Sequence, residues 1–399
     1  MSNLLSKASI LLTPTATSDG KLHNIKPNTT TGDFTFTRGT VATRVNSNGL
    51  IESVASGLPR IDFTGGIGQV LLEPAATNLI THSENLEISS ASGTSRQNNA
   101  TTTASSLPSP DGGTNAFTFI YDGTHNASIK KVTAASADQV ITFSVFIKKT
   151  SETNFSADSK CQIGIFQNVV STQTTPLGNA LNAATIGEWV RYSVTATVDS
   201  DGGNVIPNLR CDEAASFDVF GWQLETNSFV TSYIPTSGSS VTRNQDLAIS
   251  AGDSTLINST EGVLYGELAS FTNSGESERN ISLSNSTVNN TAEIGYSSGT
   301  NLARFRLRAN NVTILAQNSA VSDTKQFIKM AIKYKSGEIK CFVNGSQVIS
   351  DTSSFTFSES LSELAFDRGN GSNEFNGKVK SIAVFKEALT DAQLISLTS

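Results

Sequence analysis

Apolar and polar residues alternate along most of the chain from residue 116 onward. A period of two places every second side chain on one face of a strand, so each run predicts a half-buried β-strand. The clearest early runs are AFTFIY (116–121), QVITFSVFIKK (139–149), QIGIFQNVV (162–170), EWVRYSVTATV (188–198) and FDVFGWQLE (217–225). Turn signals separate them at the spacing of sandwich strands. Residues 81–240 are therefore predicted to form one β-sandwich of the jelly-roll type.

A second alternating series runs from residue 247 to the end of the sequence. Its segments are GVLYGELASF (262–271), AEIGYS (292–297), NLARFRLRA (301–309), FIKMAIKYK (327–335), EIKCFVNG (338–345) and KVKSIAVFK (378–386). Asn344-Gly345 predicts a hairpin turn, because this dipeptide accepts the positive φ angles that a two-residue turn needs. One helix is expected near the end, where Thr390 can cap it and Gln393 completes a capping box. Residues 241–399 are predicted to form a second antiparallel β-sandwich.

The first 80 residues contain no alternating run long enough for a core of their own. Short pieces such as FTFTRGTVATRV (34–45) and PRIDFTGGIGQVLLEP (59–74) alternate, and glycines interrupt the second. Residues 1–80 are predicted to be an irregular region of short strands that docks on a neighbouring domain or another chain. The predicted fold class is therefore all-β, with two consecutive antiparallel β-sandwiches behind this region.

Composition and charge narrow the functional classes. Charged residues make up 16% of the sequence, the net charge is −7 and the pI is about 5.1, which argues against a nucleic-acid binder. No apolar run approaches the roughly 20 residues needed to cross a bilayer. The early apolar piece ASILL (8–12) lacks the layout of a signal peptide. We expect a protein made in the cytoplasm, without a signal peptide and without membrane insertion.

The stretch TSYIPTSGSSVTR (231–243) has the composition of a linker between the two predicted sandwiches. Pro235 favours an extended backbone in the residue before it. Tyr233 and Ile234 are expected to pack against the end of the first sandwich, and Arg243 is expected to begin the second.

The three cysteines, Cys161, Cys211 and Cys341, are too few and too scattered for a disulfide framework. Cys341 alternates in phase with its apolar neighbours and is predicted to be a core residue. Nothing in the sequence determines whether Cys161 and Cys211 meet.

Catalytic motifs are absent from the sequence. His23, His82 and His125 have no zinc-ligand spacing and are predicted at surface or turn positions. No G-x-S-x-G motif supports a Ser/His/Asp site, which the sequence nevertheless leaves open. Carboxylate pairs of the kind glycoside hydrolases use, such as Asp218 with Glu225, are interpreted as solvated edge charges. We expect a protein that is not an enzyme.

Two groups of residues are candidates for ligand binding. In RFRLR (304–308) the residues Arg304, Arg306 and Arg308 share one face of a predicted strand, as expected of a basic stripe for an acidic glycan, a subunit contact or a solvated sheet face. Trp222 is the second candidate, because exposed aromatic rings stack on sugars, although its alternation with Phe220 and Leu224 also fits a core position.

The Gly-rich segment DRGNGSNEFNG (367–377) is a candidate metal site. Asp367, Asn370, Asn373 and Glu374 supply the hard oxygen ligands that Ca²⁺ prefers. Their spacing matches no EF-hand loop, and Asp, Asn and Gly also build ordinary β-turns. No cofactor is otherwise expected.

Several segments resemble known families. The segment 221–246, with its GWQLE and SYIPT pieces and the TRNQD exit, resembles a module of phage virion proteins. FTFTRGTVATRVNSNGLIE (34–52), PRIDF (59–63) and LLEPAATNLITHSENL (71–86) resemble the N-terminal half of the same module. The jelly roll with GEWVRYSVTATV (187–198) resembles carbohydrate-binding modules.

The C-terminal part resembles laminin-G or concanavalin A-like domains. The resemblance is carried by the hairpin IKCFVNGSQV (339–348) and by FNGKVKSIAVFKEALTDAQLISL (375–397). Together these resemblances imply a virion surface protein with domains of glycan-binding type. They do not by themselves establish a ligand, because a fold hosts many functions.

The leading hypothesis is a non-enzymatic component of a phage virion, a tail fibre, spike or head fibre that adheres to host cell-surface glycans. Residues 1–80 would contact other virion proteins, and a homo-oligomer, with a trimer as one form, would multiply weak single-site affinities. The alternatives are a purely structural protein that decorates the capsid or scaffolds the tail without a ligand, and a glycan depolymerase.

Overall fold

The computed structural model describes residues 2–124, 127–151, 154–167, 171–273 and 277–399. These residues form antiparallel β-structure with short helices, which confirms the predicted all-β fold class. The chain folds as two compact units. Unit 1 comprises Met1–Val41, Val54–Pro74 and Gln245–Ser399, and unit 2 comprises Ala42–Ser53 and Ala75–Asn244.

The regular elements, in chain order, begin with short pieces. These are α1 (Ser2–Leu5), β1 (Ile10–Leu12), β2 (Thr17–Ser18), β3 (Lys21–Leu22), β4 (Phe34–Thr37), β5 (Ala42–Val45), β6 (Ile51–Val54), β7 (Arg60–Asp62), β8 (Gln69–Leu72) and β9 (Ala76–Asn78). The middle of the chain has β10 (Thr94–Gln97), β11 (Thr101–Ala104), β12 (Phe117–Tyr121), β13 (Ala127–Lys131), β14 (Thr133–Ala135), β15 (Val140–Lys149), β16 (Cys161–Gln167), β17 (Ser171–Pro176), α2 (Gly178–Ala183), β18 (Trp189–Thr197), β19 (Gly203–Cys211) and β20 (Ala215–Glu225).

The remaining elements lie in the last 160 or so residues. They are β21 (Val241–Arg243), β22 (Leu247–Ile249), β23 (Glu261–Ala269), β24 (Arg279–Ser284), β25 (Thr291–Tyr296), β26 (Leu302–Ala309), β27 (Val312–Ala320), β28 (Ile328–Lys335), β29 (Ile339–Val343), β30 (Ser346–Asp351), β31 (Glu363–Ala365), β32 (Gly377–Phe385) and α3 (Asp391–Thr398). No helix of the described ranges is long and apolar enough to cross a membrane.

Unit 1 contains a sandwich of two sheets. Sheet I has the strand order β30-β29-β28-β23-β32-β8-β7, and β1 also pairs with β32. Sheet II has the order β27-β26-β25-β24-β31. Leu264 and Ile332 of sheet I belong to one buried cluster with Ile294 and Phe305 of sheet II, so the apolar residues of the alternating pattern form the core.

The N-terminal segments are integral to these units. β1, β7 and β8 extend sheet I, and β2, β3 and β4 form a four-stranded sheet with β22. Phe34 and Val70, each fully buried, belong to the unit 1 core. Residues 42–53 and 75–80 belong instead to unit 2. The structure therefore differs from the prediction of one separate region at 1–80, because strands too short for their own core gain burial by completing other sheets.

Sheet I is covered on its other face as well. Leu394 and Leu397 of α3 pack in one cluster with Phe342 and Phe385 of sheet I. Thr390 and Gln393 form the predicted capping box at the start of α3. Both faces of sheet I are therefore buried within unit 1. The outer face of sheet II is the sheet surface of this sandwich that a ligand could reach.

Unit 2 contains the first predicted sandwich, the one expected at residues 81–240. Sheet III has the order β10-β13-β19-β16-β17 with β14 paired to β19, and sheet IV has the order β11-β12-β20-β15-β18. Trp222 is fully buried in the core of this unit, and its ring centroid lies 4.8 Å from that of Phe143. The prediction of Trp222 as a ligand-binding residue is corrected by this position, because a ring without exposed surface offers no platform to a sugar.

The outer face of sheet IV is covered by the chain itself. Tyr233 packs on Phe220, with ring centroids 5.3 Å apart, and the backbone oxygen of Tyr233 accepts a hydrogen bond from Thr43 of β5 at 2.5 Å. Gly221 has a φ of +66°, and a Cβ there would lie 3.1 Å from the Tyr233 ring, so glycine permits this close approach. The stretch 231–243 is thus part of unit 2, and Arg243 pairs with Ala76 of β9 rather than beginning the second sandwich.

Candidate functional site

The outer face of sheet II carries a grid of polar side chains, which we call the polar face. Its members are Asn280, Ser282 and Ser284 of β24, Thr291 and Glu293 of β25, and Arg304, Arg306 and Arg308 of β26. The register aligns them in rows, with Ser282 opposite Glu293 and Glu293 opposite Arg306. Because Phe305 and Leu307 are buried in the core, the three arginines share the opposite face, as the alternation predicts.

The three predicted arginines differ in their surroundings. Arg306 is 2% exposed, and its Nη2 atom lies 3.1 Å from Glu293 Oε1. Arg304 is half-buried and pairs with Glu278 at 2.9 Å, and it donates to Asn318 Oδ1 at 3.3 Å. Arg308 is half-buried and donates to the Asn311 side chain. The stripe is therefore a paired network rather than a row of solvated cations.

Glu293 is the most constrained carboxyl group of the polar face. Its side chain is 1% exposed, and the Thr291 hydroxyl donates to Oε1 at 2.6 Å. Burial raises the pKa of Glu293 to about 7, although the Thr291 hydrogen bond and the charges of Arg368 and Arg304 oppose the shift. This carboxyl group therefore changes charge near neutral pH, in the centre of the arginine stripe.

The predicted calcium segment lies against this same face. Gly369 has a φ of +95°, and a Cβ there would lie 2.7 Å from Ser284 Cβ, so only glycine fits this contact with the sheet. The backbone of Asn280 donates to the Asn373 oxygen at 2.9 Å, and the Asn373 side chain donates to Glu278 at 3.3 Å. From the sequence, the three arginines and the 367–377 loop are predicted as two separate sites. In the structure both lie at the polar face.

The four predicted calcium ligands lie in contact with other groups of the protein. Asp367 accepts from the backbone of Gly369, and burial raises the pKa of Asp367. Asn370 accepts from Ser372 at 2.5 Å. Glu374 is half-buried beside β24. Among the described residues, no group of three or more His, Cys, Asp or Glu side chains is placed to hold a metal ion. Calcium binding by Asp367, Asn370, Asn373 and Glu374 stays a prediction.

Several buried atoms of the polar face lack a hydrogen-bonding protein partner. They are Asn280 Nδ2 and Oδ1, Ser282 Oγ, Glu293 Oε2 and Arg306 Nε. Buried polar atoms in native proteins nearly always have a protein or solvent partner. The face therefore retains hydrogen-bonding capacity that its own side chains do not satisfy.

The accessible edge of the polar face lies along β26 and β27. Asn318 is exposed and stands opposite Arg304, and Ala316 is exposed and stands opposite Arg306. Arg304, whose side chain is 15% exposed, and Arg308 are partly exposed on the polar face. Their planar guanidinium groups are hydrogen-bond donors that suit carboxylate or hydroxyl oxygens.

The sequence did not indicate the partners that shape this face. Glu293, Glu278 and Arg368 are ordinary charged residues in the sequence, and only strand register and the return of the loop bring them to the arginines. Glu293 does carry one signal, because its position opposite Arg306 follows once β25 and β26 are paired.

The exposure of several other residues can be compared with the prediction from the sequence. Asp218 is 1% exposed and lies 3.2 Å from Lys148, and Glu225 is fully buried, so their interpretation as solvated edge charges is wrong. Cys341 is a core residue, as predicted. His82 is half-buried, the His23 side chain is 34% exposed, and His125 lies outside the described residues.

One family model matches part of the chain. Residues 269–395 match a model described as the concanavalin A-like lectin/glucanases superfamily. The match supports the concanavalin A-like sandwich expected for the C-terminal part, and it includes the polar face and the 367–377 loop. No curated protein matches the chain.

Solved structures show weaker likenesses. CBM40 of the Ruminococcus gnavus IT-sialidase is 14% identical over 37% of this chain and 92% of that chain, with a TM-score of 0.31. A SAP-like pentraxin from Limulus polyphemus is 15% identical over 35% and 70%, with a TM-score of 0.28. Domain 4 of a GH43 extracellular arabinanase from Geobacillus stearothermophilus, in complex with arabinotriose, is 15% identical over 39% and 73%, with a TM-score of 0.29. Likenesses this weak assign no ligand to the chain.

Proposed function

We propose that the protein is an adhesin on the surface of a phage virion, where it binds host cell-surface glycans through the polar face of unit 1 without cleaving them. The observation that carries the binding role is the polar face itself: Arg304 and Arg308 are accessible above a buried Arg306–Glu293 pair that holds unsatisfied polar atoms. It lies within the residues that match the lectin/glucanase superfamily.

The sugar class follows from the charge of this face. The guanidinium groups of Arg304 and Arg308, which are partly exposed, favour a ligand with acidic or hydroxyl oxygens over an apolar one. Binding at one such shallow face is weak, so adhesion depends on many copies in a homo-oligomer, of which a trimer is one form. Calcium is not required for contacts between arginines and an acidic sugar.

The virion role is supported by the sequence resemblance alone. The segments 34–52, 59–63, 71–86 and 221–246 resemble a module of phage virion proteins, and residues 1–80 are the proposed contact with other virion proteins. The protein is then made in the host cytoplasm and exposed on the particle. Mass spectrometry of purified particles, followed by labelling of intact particles with an antibody to unit 1, tests this placement. Absence of the protein from purified particles would remove the virion role.

A glycan array with the purified full-length protein tests the binding role. We expect retention of acidic glycans by the wild type and loss of at least tenfold in apparent affinity in an R304Q/R308Q variant. The matched control is K335Q/K386Q, which removes the same charge at Lys335, exposed at the end of β28, and at Lys386, exposed just after β32. If no glycan is retained, even by the protein clustered on beads, the adhesion proposal is contradicted.

A purely structural role is the second candidate, and the covered face of sheet IV favours it. Tyr233 and the β5–β6 hairpin cover the face that the jelly roll would otherwise present, and Trp222 is buried. If the array is negative while the protein is found in particles, the structural role stands. Release of oligosaccharides from a host polysaccharide would instead favour the depolymerase.

A further inference from the structure

A serine, a histidine and an aspartate are joined in series at the β2–β3 hairpin of unit 1. Ser18 Oγ lies 2.8 Å from His23 Nε2. His23 Nδ1 lies 2.8 Å from Asp33 Oδ2. These are the contacts of a nucleophile with a general base and of that base with an orienting carboxylate, and both distances fall within the range such sites use.

Local structure holds the three side chains in this order. Ser18 ends β2, and a two-residue turn at Asp19-Gly20, with a Gly20 φ of +68°, returns the chain so that Lys21 stands opposite Ser18. His23 follows β3 directly. Asp33 precedes β4, and its second oxygen accepts the backbone N–H of Asn24 at 2.9 Å. The carboxylate therefore keeps Oδ2 directed at the imidazole.

The exposure of the three residues suits catalysis. The Asp33 side chain is 7% exposed, the His23 side chain is 34% exposed, and Ser18 is exposed to solvent. A buried acid fixes the tautomer of the imidazole with the proton on Nδ1, which leaves Nε2 free to accept the serine proton. The hydroxyl group that would attack is the one that a substrate reaches.

We propose that Ser18, His23 and Asp33 form a site for the hydrolysis of small, exposed acyl esters, such as acetyl esters of a polar alcohol. The polar surroundings of Ser18, including Thr17, Asp19 and Lys21, favour a short acyl group over a fatty one. Lys21 stands directly opposite Ser18 in the hairpin, so the two side chains lie on the same face of this strand pair.

The reaction consumes only the ester and water. Ser18 Oγ forms a bond with the acyl carbon while its proton passes to His23 Nε2. The bond from that carbon to the alcohol oxygen then breaks, and the alcohol leaves with the proton from His23. Water attacks the acyl-serine with His23 again accepting a proton, and the carboxylic acid departs as Ser18 regains its hydrogen. Asp33 remains a carboxylate and stabilises the charged imidazole.

This site is separate from the polar face and does not depend on glycan adhesion. No sequence motif indicates the Ser18–His23–Asp33 site, because the residues around Ser18 match no nucleophile-elbow pattern. Substitution of Ser18 is expected to leave glycan binding unchanged, so the two proposals fail independently.

A fluorophosphonate probe and 4-nitrophenyl acetate test the proposal on the full-length protein. We expect the probe to label Ser18, identified by peptide mass spectrometry, and acetate release to fall to background in S18A. H23Q is expected to lower both rates by about 100-fold or more. S56A, which removes an exposed hydroxyl from a turn of the same unit, should match the wild type.

The variants also separate catalysis from a structural role. Ser18 and His23 lie at the surface, so S18A and H23Q should retain the circular dichroism spectrum of the wild type. In S18C the alkylation rate by iodoacetamide is expected to be faster than in S18C/H23Q below pH 8, because an adjacent imidazole promotes thiolate formation. Absence of probe from Ser18 in the folded wild type, or equal rates with and without His23, would overturn the proposal.

Discussion

Arg38 Nη1 lies 3.0 Å from Asp246 Oδ1, and both side chains are fully buried although 208 positions separate the residues. Arg60 contacts the other oxygen of Asp246 and lies 2.7 Å from Glu73. Burial would lower the pKa of Arg60, but Asp246 and Glu73 raise it above the ordinary value. The segments that resemble a phage module therefore meet in one buried ion network of unit 1.

Replacement of Asp246 is expected to destabilise unit 1 strongly. In D246N the guanidinium of Arg38 loses its carboxylate partner in a site without solvent, which costs about 3–5 kcal/mol. E261Q is the matched control, because Glu261 of unit 1 pairs with Lys335 at the surface and such pairs contribute about 1 kcal/mol or less. Both tryptophans, Trp189 and Trp222, lie in unit 2, so unfolding of unit 1 is followed by circular dichroism in urea. Equal midpoints for D246N and wild type would contradict the role of this network.

The alternating pattern predicted the β-strands well because burial of one face dictates it directly. Phe305 and Leu307 point inward and Arg306 outward, as the sequence alone indicates. The pattern could not predict that Arg306 is buried too, because strand alternation carries no information about what packs on the outer face of the sheet. The pattern likewise did not assign the strands of residues 1–80 to particular sheets, because strands of two to four residues carry no information about the sheet they join.

The sequence predicted which residues belong to the candidate site, but it did not predict that they lie close together. Alternation predicts that Arg304 and Arg308 share a face, and turn composition predicts a Gly-rich loop around Gly369. Their proximity depends on the pairing of β31 with β24, which is a long-range contact without a local signal. Trp222 illustrates the opposite case, because its alternation with apolar neighbours already indicated the core position that the structure assigns.

Tyr233 is expected to hold the cover of sheet IV in place. Its ring packs on Phe220, and its hydroxyl lies 2.7 Å from Ser83 Oγ and 3.2 Å from Glu84. Y233A should destabilise unit 2 by about 3–5 kcal/mol, through the cavity it leaves. Y233F keeps the ring and should cost about 1 kcal/mol, through the lost hydrogen bonds. Tryptophan fluorescence in urea measures both, and similar losses in the two variants would show that the ring is not the main contact.

Glu293 is expected to make the stability of unit 1 depend on pH. Burial raises its pKa to about 7, so between its ordinary pKa and pH 7 the folded state binds more protons than the unfolded state. Its contribution is then favourable at acid pH and falls by up to about 3 kcal/mol as the pH rises to neutrality. E293Q removes this slope and should gain stability relative to wild type as pH rises from 4.5 to 7.5, measured by urea denaturation.

Glu338 provides a control of opposite sign for the Glu293 experiment. The side-chain hydrogen bond from Lys333 lowers the pKa of Glu338, so its contribution is present at neutral pH and is lost as the pH falls through that lowered value. E338Q should therefore lose stability relative to wild type at neutral pH and approach it in acid. A pH profile of E293Q parallel to that of the wild type would contradict the raised pKa.

Cys161 and Cys211 are expected to form a disulfide under oxidising conditions. They stand directly opposite each other on β16 and β19, both fully buried, with their sulfur atoms 2.8 Å apart. The cross-link would close a loop with a separation of 50 positions and stabilise unit 2 by about 4 kcal/mol. Burial raises the pKa of the Cys211 thiol well above its ordinary value, so we expect slow formation at neutral pH and faster formation as the pH rises.

Mass spectrometry after treatment with copper phenanthroline measures this cross-link as the loss of two hydrogen atoms. C341S is the matched control, because Cys341 is a buried thiol of unit 1 and its replacement should leave the cross-link intact. C161S should abolish it. Two free thiols at these positions after prolonged oxidation of the folded C341S protein at pH 9 would contradict the prediction. A cross-linked unit 2 whose urea midpoint equals that of the reduced form would show that the unfolded chain already holds these strands together.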